Sequence, residues 1–346
     1  MAEQGGNNLT AFLVTMFAGL ATAVGGACVR FGSLQSPAFL SMSMALAAGV
    51  MIHVSYVEIL KKSEEAFAEA WPATRRDPNG PKRAVVMANV MFFCGVIFII
   101  VLDKVIDRVQ DYFMPDDVPA PHDHHAPPTA LSKEQRRSRH RSSMIAPDVL
   151  QSYMHSYEQN EKPRSQYGGH DVEHGAKSTT DMSPEQKAKL MRTGLVTALA
   201  IGAHNLPEGL ATFIAMANGA GSGLPLAVAI TIHNIPEGVC VAVPVLYATG
   251  SRVKAFLMSL VAGLSEPIGA AIGWAIIASI KPSKLNLLFG IMFGLISGMM
   301  IYIALVELLP TAVTYMPNGQ GRVAMALWTG IFIMAASLVM FEMAGE

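Results

Sequence analysis

Charge is scarce in this chain. Only 15% of its 346 residues are Asp, Glu, Lys or Arg, while 51% are hydrophobic, and a soluble domain ordinarily carries about 25% charged residues. The formal net charge of -1 offers nucleic acid no attractive surface. Cysteine is also rare: Cys28, Cys94 and Cys240 lie far apart, which excludes a disulfide framework and a thiolate metal site. Polar alternation within the apolar segments is missing too. They are continuous blocks rather than the alternating ten-residue segments of a membrane β-barrel.

What remains is a set of long apolar runs: Leu9–Val29, Pro37–Val57, Ala84–Leu102, Thr193–Asn218, Leu224–Tyr247, Ala255–Ile280, Leu285–Val306 and Val323–Phe341. Each is close to or above the ~18 to 20 residues that a spanning helix requires. The expectation is an all-α, multi-pass integral membrane protein with eight transmembrane helices, in the plasma membrane or an internal one. The first run has no basic segment before it and is longer than a signal h-region, so it reads as a span. Residues 1–102 carry helices 1–3 and residues 193–346 carry helices 4–8. Between them, residues 103–192 form a Pro-, Ser-, His- and Arg-rich polar loop without apolar periodicity, read as disordered. Positive-inside counting does not choose an orientation.

The second and seventh runs resemble each other. Gly49 to Glu58 (GVMIHVSYVE) aligns with Gly298 to Glu307 (GMMIYIALVE), and in a chain of consecutive spans these two run in opposite directions. That is the pattern of an inverted repeat, common in secondary transporters. Glu58 and Glu307 occupy matching ends of it.

The chemistry concentrates in a doubled motif, His-Asn-x-Pro-Glu-Gly, at His204–Gly209 and again at His233–Gly238. On a helix, His and Glu four apart share one face and offer the imidazole and carboxylate that divalent Zn, Fe or Mn accept. His204/Glu237 and Glu208/His233 share one midpoint, at the centre of the Gly-rich reversal Asn218–Gly223. Folded as a hairpin, the two helices would set His204 level with Glu237 and Glu208 level with His233, roughly 15 to 21 Å from the turn and so near mid-membrane. Asn205 and Asn234 can add carbonyl oxygens. Pro207 and Pro236 cannot donate to the carbonyls of Ala203 and Ile232, which predicts kinks at the site.

Glu266 is the one charged residue between Ala255 and Ile280, and no Lys or Arg falls within the core of any predicted span. Ionised acids at mid-membrane cost about 2.5 to 3.5 kcal/mol each on insertion scales. Glu208, Glu237 and Glu266 without basic partners therefore call for protons or metal cations, and a summed charge of -3 leaves room for a second ion. In the long loop, His122–His125 and His170–His174 gather metal-binding side chains, and Arg136–Ser143 is a basic stretch open to lipid contact or phosphorylation. His53 is a lone histidine in the second span.

At these motifs the chain resembles the ZIP (Zrt/Irt-like) family of divalent-metal transporters, specifically its ZupT-like branch. The likeness covers the spans and leaves out the long loop. It rests on the two HNxPEG motifs, with weaker support from Ala47–Met51 and Glu307–Pro310. The resemblance implies eight helices in a 3+2+3 arrangement, both termini extracytosolic, the long loop cytosolic, and often a homodimer. It implies one metal on His204, Glu208, His233 and Glu237, and a neighbouring one on Asn205, Asn234 and Glu266 with Glu208 and Glu237 bridging. The implied function is transport of zinc toward the cytosol, with Fe, Mn and Cd open as further cargo, and no catalytic cofactor. Two alternatives stay open: an intramembrane metalloprotease, disfavoured because each motif His is followed by Asn rather than by Glu-x-x-His, and a membrane metal sensor that binds without flux.

Overall fold

The computed structural model describes residues 2–31, 36–72, 79–113, 184–281, 284–316 and 318–344. The histidine clusters and the basic stretch of the long loop lie outside these residues. Among the described residues there is no strand. The helices are α1 (Ala2–Cys28), α2 (Pro37–His53), α3 (Leu60–Ala70), α4 (Gly80–Phe113), α5 (Pro184–Ala217), α6 (Ala220–Thr249), α7 (Arg252–Gly263), α8 (Ser265–Ser279), α9 (Leu285–Tyr302), α10 (Leu309–Tyr315) and α11 (Gln320–Ala344). Two single π-helical turns, Val54–Ile59 and Ile303–Leu308, join α2 to α3 and α9 to α10 without a break.

Seven helical segments are long and apolar enough to cross a membrane. The expected fourth span lies in α5, which is 34 residues long but is not among the seven. His204, Asn205, Pro207 and Glu208 reduce its apolarity, whereas α6 dilutes the same motif in a more apolar flank. The count of eight therefore exceeds what length and hydropathy alone support.

Several boundaries move. Helix α4 continues to Phe113 and α5 begins at Pro184, so helix enters both ends of the stretch read as loop. The second span does not stop at Val57; π-turn and helix carry it to Ala70. This places Lys62 inside a candidate span, 9% exposed, near its end. The α5–α6 reversal is shorter than expected: α6 begins at Ala220, and Gly219 turns the chain at φ 141°, a conformation natural only to glycine. Pro207 and Pro236 sit inside unbroken helices. A break falls in the sixth span, at Leu264, between α7 and α8 and two residues before Glu266.

Helices α5 and α6 pack on each other at the centre, with α1 against both, α7 against α6 and α8 against α5. Outside them, α2 pairs with α11 and α9 with α4. The outer helices expose large apolar side chains, Phe93, Ile97 and Phe98 on α4 and Trp328, Phe332 and Met340 on α11, while the polar cluster is central. This inside-out distribution is what a hydrocarbon surround requires.

The packing repeats itself. Gly49 meets the Leu327 carbonyl, and its partner Gly298 meets that of Phe92. Gly330 meets the carbonyl of Leu46, and Gly95 that of Leu295. Ser41 Oγ donates to Ala312 O (2.7 Å) and Ser63 Oγ to Gly290 O (2.6 Å). In the register that pairs Gly49 with Gly298, Ser41 matches Gly290 and Ser63 matches Ala312, so each bond is the exchanged copy of the other. The π-turns fall in that same register. The first and sixth spans join the pattern, since Gly19 and Gly263 each face the other's carbonyl. These exchanged contacts on antiparallel segments are those of an inverted repeat, extended well beyond the ten residues that align in sequence.

Candidate metal site

All seven candidate residues are buried, none more than 3% exposed. The α5–α6 hairpin produces the level pairing expected from its midpoint. His233 Nε2 lies 3.1 Å from Glu208 Oε2, and His204 Nε2 lies 3.4 Å from Glu237 Oε1. The second pair is close but outside hydrogen-bond geometry, and both its atoms are left without a partner.

Second contacts orient the ligands. His233 Nδ1 is 3.0 Å from the Ala229 carbonyl; donating there fixes the tautomer and turns the Nε2 lone pair toward Glu208. A lone pair facing a carboxylate oxygen at that distance needs a proton or a cation between them. With its NH2 group facing acceptors, Asn205 donates to Glu237 Oε2 (3.2 Å) and to the Ile201 carbonyl (3.0 Å). Asn234 Nδ2 donates to the Ala18 carbonyl (2.9 Å) and to Glu266 Oε1. Each amide thus spends its donors on a carboxylate and a carbonyl, leaving an oxygen to accept.

Six buried polar atoms at or beside the cluster are unmatched, as is Ser55 Oγ away from it. His204 Nε2, Glu208 Oε1, Glu237 Oε1, Glu266 Oε2, Asn234 Oδ1 and the nearby Thr22 Oγ1 have no hydrogen-bond partner, and leaving such groups unsatisfied costs about 1 to 3 kcal/mol each. All but Thr22 belong to the sequence-derived set. The donor chemistry, imidazole nitrogen with carboxylate and amide oxygens, suits Zn, Fe or Mn and not Cu(I). Among the described residues, no group of three or more His, Cys, Asp and Glu side chains is drawn together closely enough to hold a metal ion as it stands. The cluster consists of pairs, His204 with Glu237, His233 with Glu208, Asn234 with Glu266, which would have to part around an ion.

The motif glycines have a steric role. A Cβ on Gly209 would lie 2.1 Å from the Glu266 carbonyl oxygen, and one on Gly238 would lie 1.8 Å from that of Thr22. Each motif therefore ends where its helix makes backbone contact with a neighbour, α5 with α8 and α6 with α1. By this packing Thr22 is the counterpart of Glu266 in the repeat. Sequence reasoning missed Thr22, because a threonine in an apolar run carries no signal of its own.

Glu307 is 9% exposed. His53 is only partly buried and is influenced by Glu58; it is not brought to the cluster.

A multi-pass helical membrane protein with an acidic His, Asn and Glu cluster at its centre is the class that this fold and site define. A family model described as ZIP Zinc transporter matches residues 7–339, and the chain belongs to the ZIP family. It is 36% identical over 343 residues to the zinc transporter ZupT of Clostridium perfringens, covering 98% of this chain and 99% of that one. It is 37% identical over 336 residues to the ZupT of Lysinibacillus sphaericus, covering 97% and 98%. The ZupT of Chlorobium chlorochromatii is 35% identical over 337 residues, covering 97% and 98%.

Proposed function

We propose that the chain is a zinc-preferring divalent-metal transporter, moving metal toward the cytosol by alternating access through a midplane site on α5, α6 and α8. One observation carries the reading: three buried carboxylates, two imidazoles and two amides meet at the centre of a membrane protein with several acceptor atoms unmatched. A permanent core would match such atoms or omit them; a pathway leaves them for cargo. His204, Glu208, His233 and Glu237 hold one ion, and Asn205, Asn234 and Glu266, with Glu208 and Glu237 bridging, accommodate a neighbouring one.

In this reading the His–Glu contacts keep the site closed between cargoes. An arriving dication separates each imidazole from its carboxylate and takes lone pairs from both, so binding and opening are one event. Glu58 and Glu307 flank the site as the groups met before and after it. The protein works as a transporter and not as an enzyme, in keeping with the family and with the lack of a His-Glu-x-x-His helix.

The test is zinc uptake into proteoliposomes containing the purified chain. Wild type takes up zinc, and Glu208→Ala and Glu237→Ala abolish uptake while remaining in the membrane. Normal uptake by either variant would sink the assignment, and zinc binding without flux in wild type would favour a sensor. Competition by Fe, Mn and Cd ranks the cargo.

A further inference from the structure

Lys62 lies beyond the apolar run Pro37–Val57 in sequence, and the fold buries it. It is 11% exposed at the side chain, and its ammonium pairs with Glu58, 19% exposed, one helical turn earlier. The neighbouring Lys61–Glu65 pair, at 3.7 Å, is 67% and 59% exposed and belongs to the surface. Glu58 lies in the π-turn Val54–Ile59, which packs on α9. π-turns inside α-helices are frequent at functional positions because they push side chains out of the regular register.

The inverted repeat supplies an internal comparison. Glu58 and Glu307 are counterparts in matching π-turns. Midway between the exchanged bonds of Ser41 and Ser63 lies Ile52, which marks the level of the internal two-fold. From there Glu58 is about 9 Å along the helix and Lys62 about 15 Å, the half-thickness of a hydrocarbon core. Glu307 sits at the same depth on the opposite side. The counterpart of Lys62, however, is Thr311, whose hydroxyl donates to the Glu307 carbonyl at 2.5 Å. The two halves therefore carry the same acid at matching positions, with Lys62 one turn beyond Glu58 and Thr311 one turn beyond Glu307.

We propose that Lys62 is a built-in counter-cation at one mouth of the metal pathway. Its ammonium holds Glu58 while no metal is present, and an arriving dication displaces it. Lys62 thereby sets the affinity of that mouth. This rests on the reading of Glu58 and Glu307 as pathway groups. An ammonium on a flexible four-carbon stem suits the part: it neutralises a carboxylate at the membrane boundary, and it can swing to the headgroups when displaced.

The experiment uses the full-length chain in proteoliposomes, with zinc chloride as the probe. Lys62→Met removes the competitor, so half-saturating zinc falls about fivefold, the ceiling for one partly exposed ion pair. Turnover falls as well, because zinc leaves Glu58 more slowly. Lys62→Arg keeps wild-type values. In a Glu58→Gln background, Lys62→Met has no further effect on half-saturation. If Lys62→Met does not reach the membrane, Lys62→Gln takes its place.

A second readout is amine labelling followed by peptide mass spectrometry: zinc raises labelling of Lys62 and leaves the exposed Lys61 unchanged. Unchanged half-saturation in the neutral variants, a shift that persists in the Glu58→Gln background, or labelling of Lys62 indifferent to zinc would each overturn the proposal. Absence of uptake by wild type would instead overturn the transport reading on which it stands.

Discussion

Two glycines of α5, seven positions apart, should respond to the same substitution with opposite sign. A Cβ at Gly202 would find its nearest neighbours 3.9 to 4.0 Å away, at Ala262 and Ser265, which is ordinary contact. A Cβ at Gly209 would lie 2.1 Å from the Glu266 carbonyl oxygen and 2.5 Å from its Cα, and backbone cannot swing aside as a side chain does. Relieving that overlap requires α5 and α8 to part by about 1 Å or more, and overpacking of a tight core costs about 1 to 3 kcal/mol. At Gly202 the substitution instead gains the helix preference of alanine over glycine, up to about 1 kcal/mol. Gly202→Ala should therefore match or exceed wild type in thermal stability and retain zinc uptake. Gly209→Ala should melt several degrees lower and lose most uptake, because Glu208 and Glu266 flank the displaced contact. The assays are retention of the monodisperse peak after heating in detergent, and proteoliposome uptake. A Gly209→Ala protein with wild-type stability and rate would refute the claim that backbone contact at the motif glycine sets the site.

Gly238→Ala should behave as Gly209→Ala does, since its Cβ would lie 1.8 Å from the Thr22 carbonyl oxygen, whereas Gly321→Ala, with nothing within 4 Å, should be silent in both assays. Glu266→Gln keeps an acceptor for Asn234 while removing one charge; half-saturating zinc should rise about tenfold, equivalent to 1.4 kcal/mol, with unchanged protein in the membrane. Ser41→Ala and Ser63→Ala should each cost about 0.5 to 1.5 kcal/mol and by matching amounts, because the two bonds are exchanged copies; clearly unequal losses in melting temperature would count against the two-fold relation.

The level pairing of His204 with Glu237 and of His233 with Glu208 was legible in sequence because its pattern is local. Four-residue spacing on a helix places His204 over Glu208 and His233 over Glu237 whatever the rest of the chain does, and a short reversal between two helices fixes which residues are level. Lys62 was not legible. Its burial depends on the π-turn at Val54–Ile59 continuing the helix past Glu58, and on the packing of that helix against α9. Nor was the break before Glu266, since Ser265-Glu266-Pro267 reads equally well as the start of a helix or as the interior of a kinked one. At Pro207 and Pro236 each helix loses one backbone bond yet continues without a break, the proline lying inside it.

Thus the sequence alone determined that the chain is a helical membrane protein with a doubled imidazole-carboxylate motif, because apolar length and helical period are properties of short segments. Only the tertiary structure decided how far the inverted repeat extends, that Thr22 stands where its counterpart is Glu266, and that a buried Lys62 stands where its counterpart is Thr311. These depend on which backbones touch across glycines, and contact between residues hundreds of positions apart is invisible to any local pattern.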